Sequence, residues 1–175
     1  MKVYYSCLVD DSPKYQYESW LWVKTLIEFA KILPENIWVH YIVANEEDDY
    51  LKKMASTGVN LVRVNSFGDM KYCNKIVQLS NDKLYCADAV ILMDTDTFLT
   101  EDISGYIDFD KVNGRVVTKG HPPTFIFEDI LTKANIKNAG YYPKVIIGDY
   151  KTIHGNLNGG LYIIPQRFLV KINKS

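Results

Sequence analysis

Cysteine is scarce. The chain holds three, Cys7, Cys73 and Cys86, an odd number with no CxxC spacing. That excludes a disulfide framework and a zinc site built on paired cysteines, and it points to a reducing compartment, the cytoplasm. Long apolar runs are also missing. The longest, Ala89-Val90-Ile91-Leu92-Met93, falls well short of the ~18 residues a membrane span needs. Asp10 and Asp11 end the N-terminal apolar stretch too early for a signal peptide. Neither sign of charge dominates: 20 Lys and Arg stand against 21 Asp and Glu. The chain therefore carries no electrostatic footprint for sequence-independent nucleic-acid binding. No Gly-Lys-Ser/Thr follows a glycine loop, and no G-x-G-x-x-G joins a strand to a helix, which excludes a P-loop and a dinucleotide fingerprint. Repeats and low-complexity tracts are absent.

What remains is an ordinary globular composition, 47% hydrophobic and 23% charged over 175 residues, enough for one domain with its own core. Apolar runs predict strands over Val3–Val9, Ile37–Ala44, Val59–Val64, Ala89–Met93, Arg115–Thr118 and Leu161–Ile164. Trp20, Val23, Leu26, Ile27, Ala30 and Leu33 recur at helical spacing up to Pro34, with Trp20 expected in the core and Trp22 partly exposed or at an interface. A polar helix is expected over Glu46–Ser56, its acidic start favoured by the helix dipole and its end closed by Gly58. Another is expected over Asp69–Asn81, with Ile76, Val77 and Leu79 inward. Residues 121–157 read as a short helix plus long loops. Strands alternating with helices predict βαβ units and a mainly parallel central sheet with helices on both faces, an α/β fold.

In an open parallel sheet, ligands bind beyond the carboxyl ends of strands. Three segments qualify: Asp10-Asp11, Asp94-Thr95-Asp96 and the loop before Leu161. Asp94 and Asp96 leave a buried strand at i and i+2, where two carboxylates can face one hard cation or else form an Asx-capped turn. Asp108-Phe109-Asp110 has the same spacing but lies in a polar stretch, where a solvated turn is expected. Gly155-Asn156-Leu157-Asn158-Gly159-Gly160 enters the last strand as a glycine-rich loop. Its glycines permit close backbone approach, and Asn158 offers a donor and an acceptor to a hydroxyl-rich group. His40 is expected to be a satisfied strand histidine and the three cysteines small buried hydrophobes. His121 sits at a Gly-His-Pro-Pro turn. His154, just before the glycine-rich loop, can donate to a phosphate or complete a metal shell.

The strings AVILMDTDTFLTEDI and NGGLYIIPQRF together resemble the GT-A glycosyltransferases, most closely the family-8 type that contains galactosyltransferases and glycogenin-like enzymes. The resemblance covers residues 3–119 and 155–168 in order. It implies the GT-A (nucleotide-diphospho-sugar transferase) fold in a single domain over 1–175, short at its C-terminus. The family's later metal-binding histidine motif and downstream acidic segment do not occur among these residues. The implied activity is transfer of a sugar from a nucleotide-diphosphate donor, UDP-linked, to a glycan, protein or lipid-linked acceptor, with Mn²⁺ or Mg²⁺ as cofactor. Asp96 would bind the metal directly. Asp94 would share it and reach the ribose, with Thr95 beside them in the donor site. Asn158 and Gly159 would line the donor sugar, Lys75 would lean toward the donor phosphates or sugar, and Asp11 and Tyr15 would hold the nucleoside. The rivals are a nucleotide-sugar-binding module without turnover and a Mg²⁺-dependent nucleotidyltransferase.

Overall fold

The apolar runs become strands, and what covers their two faces fixes where the chain can bind a ligand. The computed structural model describes residues 1–42, 49–67, 72–117, 123–133, 135, 144–147, 150–153 and 156–172. In chain order these are β1 (Val3–Asp10), α1 (Pro13–Glu28), β2 (Ile37–Ile42), α2 (Asp49–Ala55), β3 (Asn60–Arg63), β4 (Ala89–Met93), β5 (Asn113–Val116), α3 (Thr124–Lys133), β6 (Lys144–Ile147), β7 (Tyr150–Ile153), β8 (Leu157–Pro165) and α4 (Gln166–Ile172). The main sheet has the order β3-β2-β1-β4-β8-β5. β1 pairs in parallel with β2 (Tyr5↔Ile37) and with β4 (Cys7↔Met93), and β2 in parallel with β3. β8 runs antiparallel to β4, from Ala89↔Pro165 to Met93↔Leu161.

The chain divides into two compact units, Met1–Asn113 with Gly160–Ser175, and Gly114–Gly159. In the first, the sheet is buried on both faces. Val3, Tyr5, Cys7, Val9, Ile37, Val39, Ile91 and Met93 cluster with Trp22, Val23 and Leu26 of α1. The alternate residues Tyr4, Trp38, Val90 and Leu92 cluster with Leu84 and with Leu169 of α4. Two covered faces explain why β4 is an unbroken apolar run with every residue buried. Each of its Val, Ile, Leu and Met side chains contributes about 1.5–3 kcal/mol on leaving water.

α1 departs from expectation at both ends. Pro13 opens it at its first turn, where a missing N–H costs nothing. It stops at Glu28, and Lys31 adopts a left-handed φ of 58°, so the helix is over before Pro34 and Leu33 lies exposed. Its buried stripe is Ser19, Trp22, Val23 and Leu26, which reverses the two tryptophans: Trp22 is core and Trp20 lies at its margin. Gly58 takes a φ of 81° after α2, as expected of a helix-closing glycine.

The stretch Tyr72–Ser80 is a 3₁₀ helix rather than an α-helix. Among its described side chains the buried ones are the polar Asn74 and Gln78; Leu79 packs against the core as expected, while Ile76 is exposed. A second 3₁₀ helix, Asp82–Cys86, is capped by Asn81, whose side chain accepts from the Lys83 N–H at 3.2 Å. Cys7 is buried as expected and Cys86 is exposed, a correction to the common reading of the cysteines. The side chain of Cys73 falls outside the described residues.

The second unit is more regular than the long loops expected of it. β6 and β7 form an antiparallel hairpin, Lys144↔Ile153 to Ile147↔Tyr150. α3 is tied to it by Thr124 Oγ1, which donates to the Lys151 carbonyl at 3.1 Å. Asn158, Gly159 and Gly160 lie within strand β8 and not in a loop. Among the described residues no helix is long and apolar enough to cross a membrane.

Candidate active site at the carboxyl end of β4

β4 ends at Met93 because the chain turns there. The Asp94 N–H donates to the Gly160 carbonyl at 2.9 Å, and the Thr97 N–H closes a turn onto the Asp94 carbonyl at 3.1 Å. Thr95 is the inward residue of the triplet: it is buried, and its Oγ1 donates to Glu18 Oε2 of α1 at 3.3 Å. With Thr95 anchored and the turn closed by main chain, neither flanking carboxylate is needed as a turn cap. Asp96 is exposed and has no hydrogen-bond or ion-pair partner among the described residues. Asp94 instead forms an ion pair and hydrogen bond with Lys75 Nζ. The Lys75 side chain is 17% exposed and that of Asp94 44%.

Strand alternation explains why Lys75 meets Asp94. Val90 and Leu92 point to the face that carries the 3₁₀ segments, so the next even position turns the same way. Tyr162, opposite Leu92 in the sheet, lies on that face too. Burial, and after it the Asp94 charge, raise its phenol above the ordinary value. The Asp108-Phe109-Asp110 triplet behaves differently, as expected. Asp108 Oδ1 accepts from the Asp110 N–H at 2.9 Å and Oδ2 meets Lys111 at 2.7 Å, while Asp110 meets Arg167 at 3.0 Å. Those carboxylates belong to a solvated turn.

Asp11 and Tyr15 sit where β1 gives way to α1. Since β1 and β4 are parallel neighbours, their carboxyl ends open on the same side of the sheet. Asp11 is exposed, and it is Asp10 whose Oδ1 accepts from the Ser12 N–H at 3.1 Å. Partial burial, opposed by that bond and aided by the Asp11 charge, raises the Asp10 carboxyl. Tyr15 is 40% exposed, with Lys14 Nζ 5.3 Å from its ring centre. Tyr15 and Glu18 are i,i+3 neighbours on α1, so the Thr95–Glu18 bond draws the start of that helix to the Asp94–Asp96 turn.

Lys75, Asp94, Thr95 and Asp96 are thus brought to one place, with Asp11 and Tyr15 at the adjoining strand end. Asn158 and Gly159 belong to the second unit. A Cβ added at Gly159 would meet nothing within 4 Å, so crowding by the protein does not require glycine there. His154, His121 and Gly155 lie outside the described residues. Glu18, Gln78 and Tyr162 were not singled out in the sequence. The signal for Tyr162 was its even-position pairing across from β4, and Gln78 lay three residues past Lys75.

Among the described residues no group of three His, Cys, Asp or Glu side chains could hold a metal ion. Two carboxylates remain, with a lysine ammonium on one of them as a built-in cation. That donor set fits Mg²⁺ or Mn²⁺, hard ions that take one or two carboxylates and complete their shell with waters and substrate phosphates.

No family model matches the sequence, and no characterised protein matches it by sequence. Solved structures do match. The apo structure of WbbM, a bifunctional glycosyltransferase, aligns with a TM-score of 0.56 and 12% identity over 98% of this chain and 32% of its own. Apo mouse xyloside xylosyltransferase 1 gives 0.54 and 9% over 97% of this chain and 68% of its own. The galactosyltransferase LgtC, solved with donor and acceptor sugar analogues, gives 0.53 and 15% over 97% and 62%. The chain has the GT-A fold. It spans a third of the WbbM chain and about two thirds of the other two. Within this fold, the Asp94–Asp96 turn lies at a strand's carboxyl end, where open α/β sheets bind ligands.

Proposed function

We propose that the chain is a metal-dependent glycosyltransferase domain of the family-8 type, moving a sugar from a UDP-linked donor. The observation that carries this reading is the Asp94-Thr95-Asp96 turn: Thr95 is anchored inward, Asp96 stands exposed, and Asp94 is held by Lys75. Cleaving a sugar–phosphate bond expels a nucleoside diphosphate carrying about three negative charges. Two carboxylates alone would repel it. A divalent ion held by these carboxylates would supply the positive charge that neutralises the leaving group. Asp96 and Asp94 would hold that ion, and Asp94 would also reach the ribose. Lys75, paired with Asp94, leans toward the donor phosphates or sugar. Asp11 and Tyr15 take the nucleoside, with Tyr15 stacking on the base. Asn158 and Gly159 line the donor sugar, and His154 is assigned to the phosphates or the metal shell. The domain works in the cytoplasm.

Calorimetric titration of UDP and UDP-sugars, with and without Mn²⁺, tests the reading on the wild type and Asp96→Ala. The expected result is binding that needs the metal and is lost in the variant, with slow release of sugar from one UDP-sugar. Binding indifferent to both metal and substitution would overturn it. Metal-dependent binding with no turnover on any donor would leave a nucleotide-sugar-binding module.

A further inference from the structure

One buried feature is unused by this mechanism: a run of polar side chains beneath the segment that carries Lys75. Ser6, His40 and Gln78 are each fully buried, a costly arrangement unless every polar atom is paired. They are paired, and in one direction. The Asn81 side-chain amide lies 3.1 Å from His40 Nε2, and its orientation is set because Asn81 Oδ1 already accepts from the Lys83 N–H. Asn81 therefore donates, and Nε2 accepts. His40 Nδ1 must then carry the proton, which it donates to Ser6 Oγ at 3.1 Å. The Ser6 hydroxyl donates onward to Gln78 Oε1 at 2.6 Å. Gln78 Nε2 finally donates to the Lys75 carbonyl at 3.1 Å. The neutral Nδ1–H tautomer of His40 satisfies every link.

We infer that this chain, Asn81→His40→Ser6→Gln78→Lys75, positions Lys75. It pins the lysine backbone to the central strands β1 and β2 and so sets where the ammonium meets Asp94. A 3₁₀ helix has poorer hydrogen-bond geometry than an α-helix and rarely runs this long unaided. The buried glutamine ties the segment to β1 through Ser6. Gln78 and Ser6 are positioning residues: neither lies at the reacting atoms, and both act through Lys75. The consequence for donor binding rests on the proposed function, whereas the consequence for the Lys75–Asp94 pair does not.

The experiment compares wild type, Gln78→Met, Ser6→Ala, Lys75→Met, Asp94→Asn and the double variant Gln78→Met/Lys75→Met. Two readouts are taken. The first is labelling of Lys75 by an amine-reactive reagent, followed by mass spectrometry, with the exposed Lys53 as internal reference. Gln78→Met and Ser6→Ala should raise Lys75 labelling several-fold, toward the level of Asp94→Asn, with Lys53 unchanged. Lys75 labelling at the wild-type rate in both variants overturns the inference, as does a parallel rise at Lys53, which reports general loosening. The second is UDP binding with Mn²⁺. Gln78→Met should weaken it about fivefold to tenfold, the scale of one lost hydrogen bond, and should cost nothing further in the Lys75→Met background. Equal losses in both backgrounds overturn the inference. If the wild type does not bind UDP, the functional proposal fails and the labelling readout alone decides the positioning.

Discussion

Lys75 reaches across 19 residues of sequence to form an ion pair with Asp94, and so places a positive charge on one of the two carboxylates assigned to a divalent cation. A partly buried pair of this kind, open to solvent on the Asp94 side, contributes about 1 kcal/mol to stability. Its larger consequence is functional. Lys75→Met should change the unfolding free energy by less than about 1 kcal/mol and weaken binding of UDP with Mn²⁺ by at least tenfold. A variant that binds UDP as the wild type does would remove Lys75 from the donor site.

Asp96 gives a cleaner separation of fold from function. It is exposed and unpaired among the described residues, so Asp96→Ala should move stability by no more than about 0.5 kcal/mol. If it is a metal ligand, the same change removes an electrostatic contact to the leaving group. Turnover should then fall by about a hundredfold or more. Urea unfolding and sugar-release assays on one preparation check both halves. A large stability loss would mean the residue is structural.

Gly159 is informative because the protein itself does not demand it. An added Cβ finds open space, and glycine within a strand costs about 0.5–1 kcal/mol relative to alanine. Gly159→Ala should therefore leave stability unchanged or slightly higher. If the position lines the donor sugar, the methyl group occupies the sugar's space, and UDP-sugar should bind more weakly while UDP alone is unaffected. Equal affinities for both ligands in wild type and variant would count against that role.

The parallel strands and the Asp94–Asp96 turn were legible because burial on both faces demands uninterrupted apolar runs, and a strand that ends abruptly in Asp-Thr-Asp leaves few readings. The pairing direction of β8 was not legible, since an apolar run looks the same whichever way it points. The face of α1 was misjudged because the small Ser19, not Trp20, completes the stripe with Trp22, Val23 and Leu26. Around Lys75 the α-helical period itself misled. The segment is 3₁₀, and besides the expected Leu79 it buries Asn74 and a glutamine that serves Ser6, which no hydrophobic pattern reveals. Val145-Ile146-Ile147 was a β-branched run hidden among prolines and polar residues, and it forms one strand of the hairpin.

The reversal of the two tryptophans has an energetic signature. Trp22 is fully buried, and its indole N–H has no partner among the described residues, so volume alone accounts for its place. Trp22→Ala should cost about 3–5 kcal/mol. Trp20 lies at the core margin under Lys53, whose Nζ is 3.9 Å from the ring centre. Trp20→Ala should lose about 1–2 kcal/mol, a cation–π contact plus partial packing. Chemical denaturation ranks the two, and the opposite order would contradict the packing described.

His40 ties stability to pH. Burial pulls its imidazole down to about 4 from the ordinary 6.5, with a small opposing contribution from the Cys7 backbone, and the Nδ1–H tautomer already uses both nitrogens. The folded state therefore binds fewer protons here than the unfolded chain between those two values, so stability rises with pH across that window. The contribution is complete above about pH 6.5 and is lost progressively as pH falls toward 4. Between pH 7.5 and pH 5 the group should cost about 2 kcal/mol, a range in which most carboxylates stay ionised. His40→Gln removes the titrating group while keeping a donor and an acceptor. The wild type's stability advantage over this variant should shrink by that amount across the interval, measured by urea unfolding at each pH. An advantage independent of pH would mean that His40 is not held neutral by its surroundings.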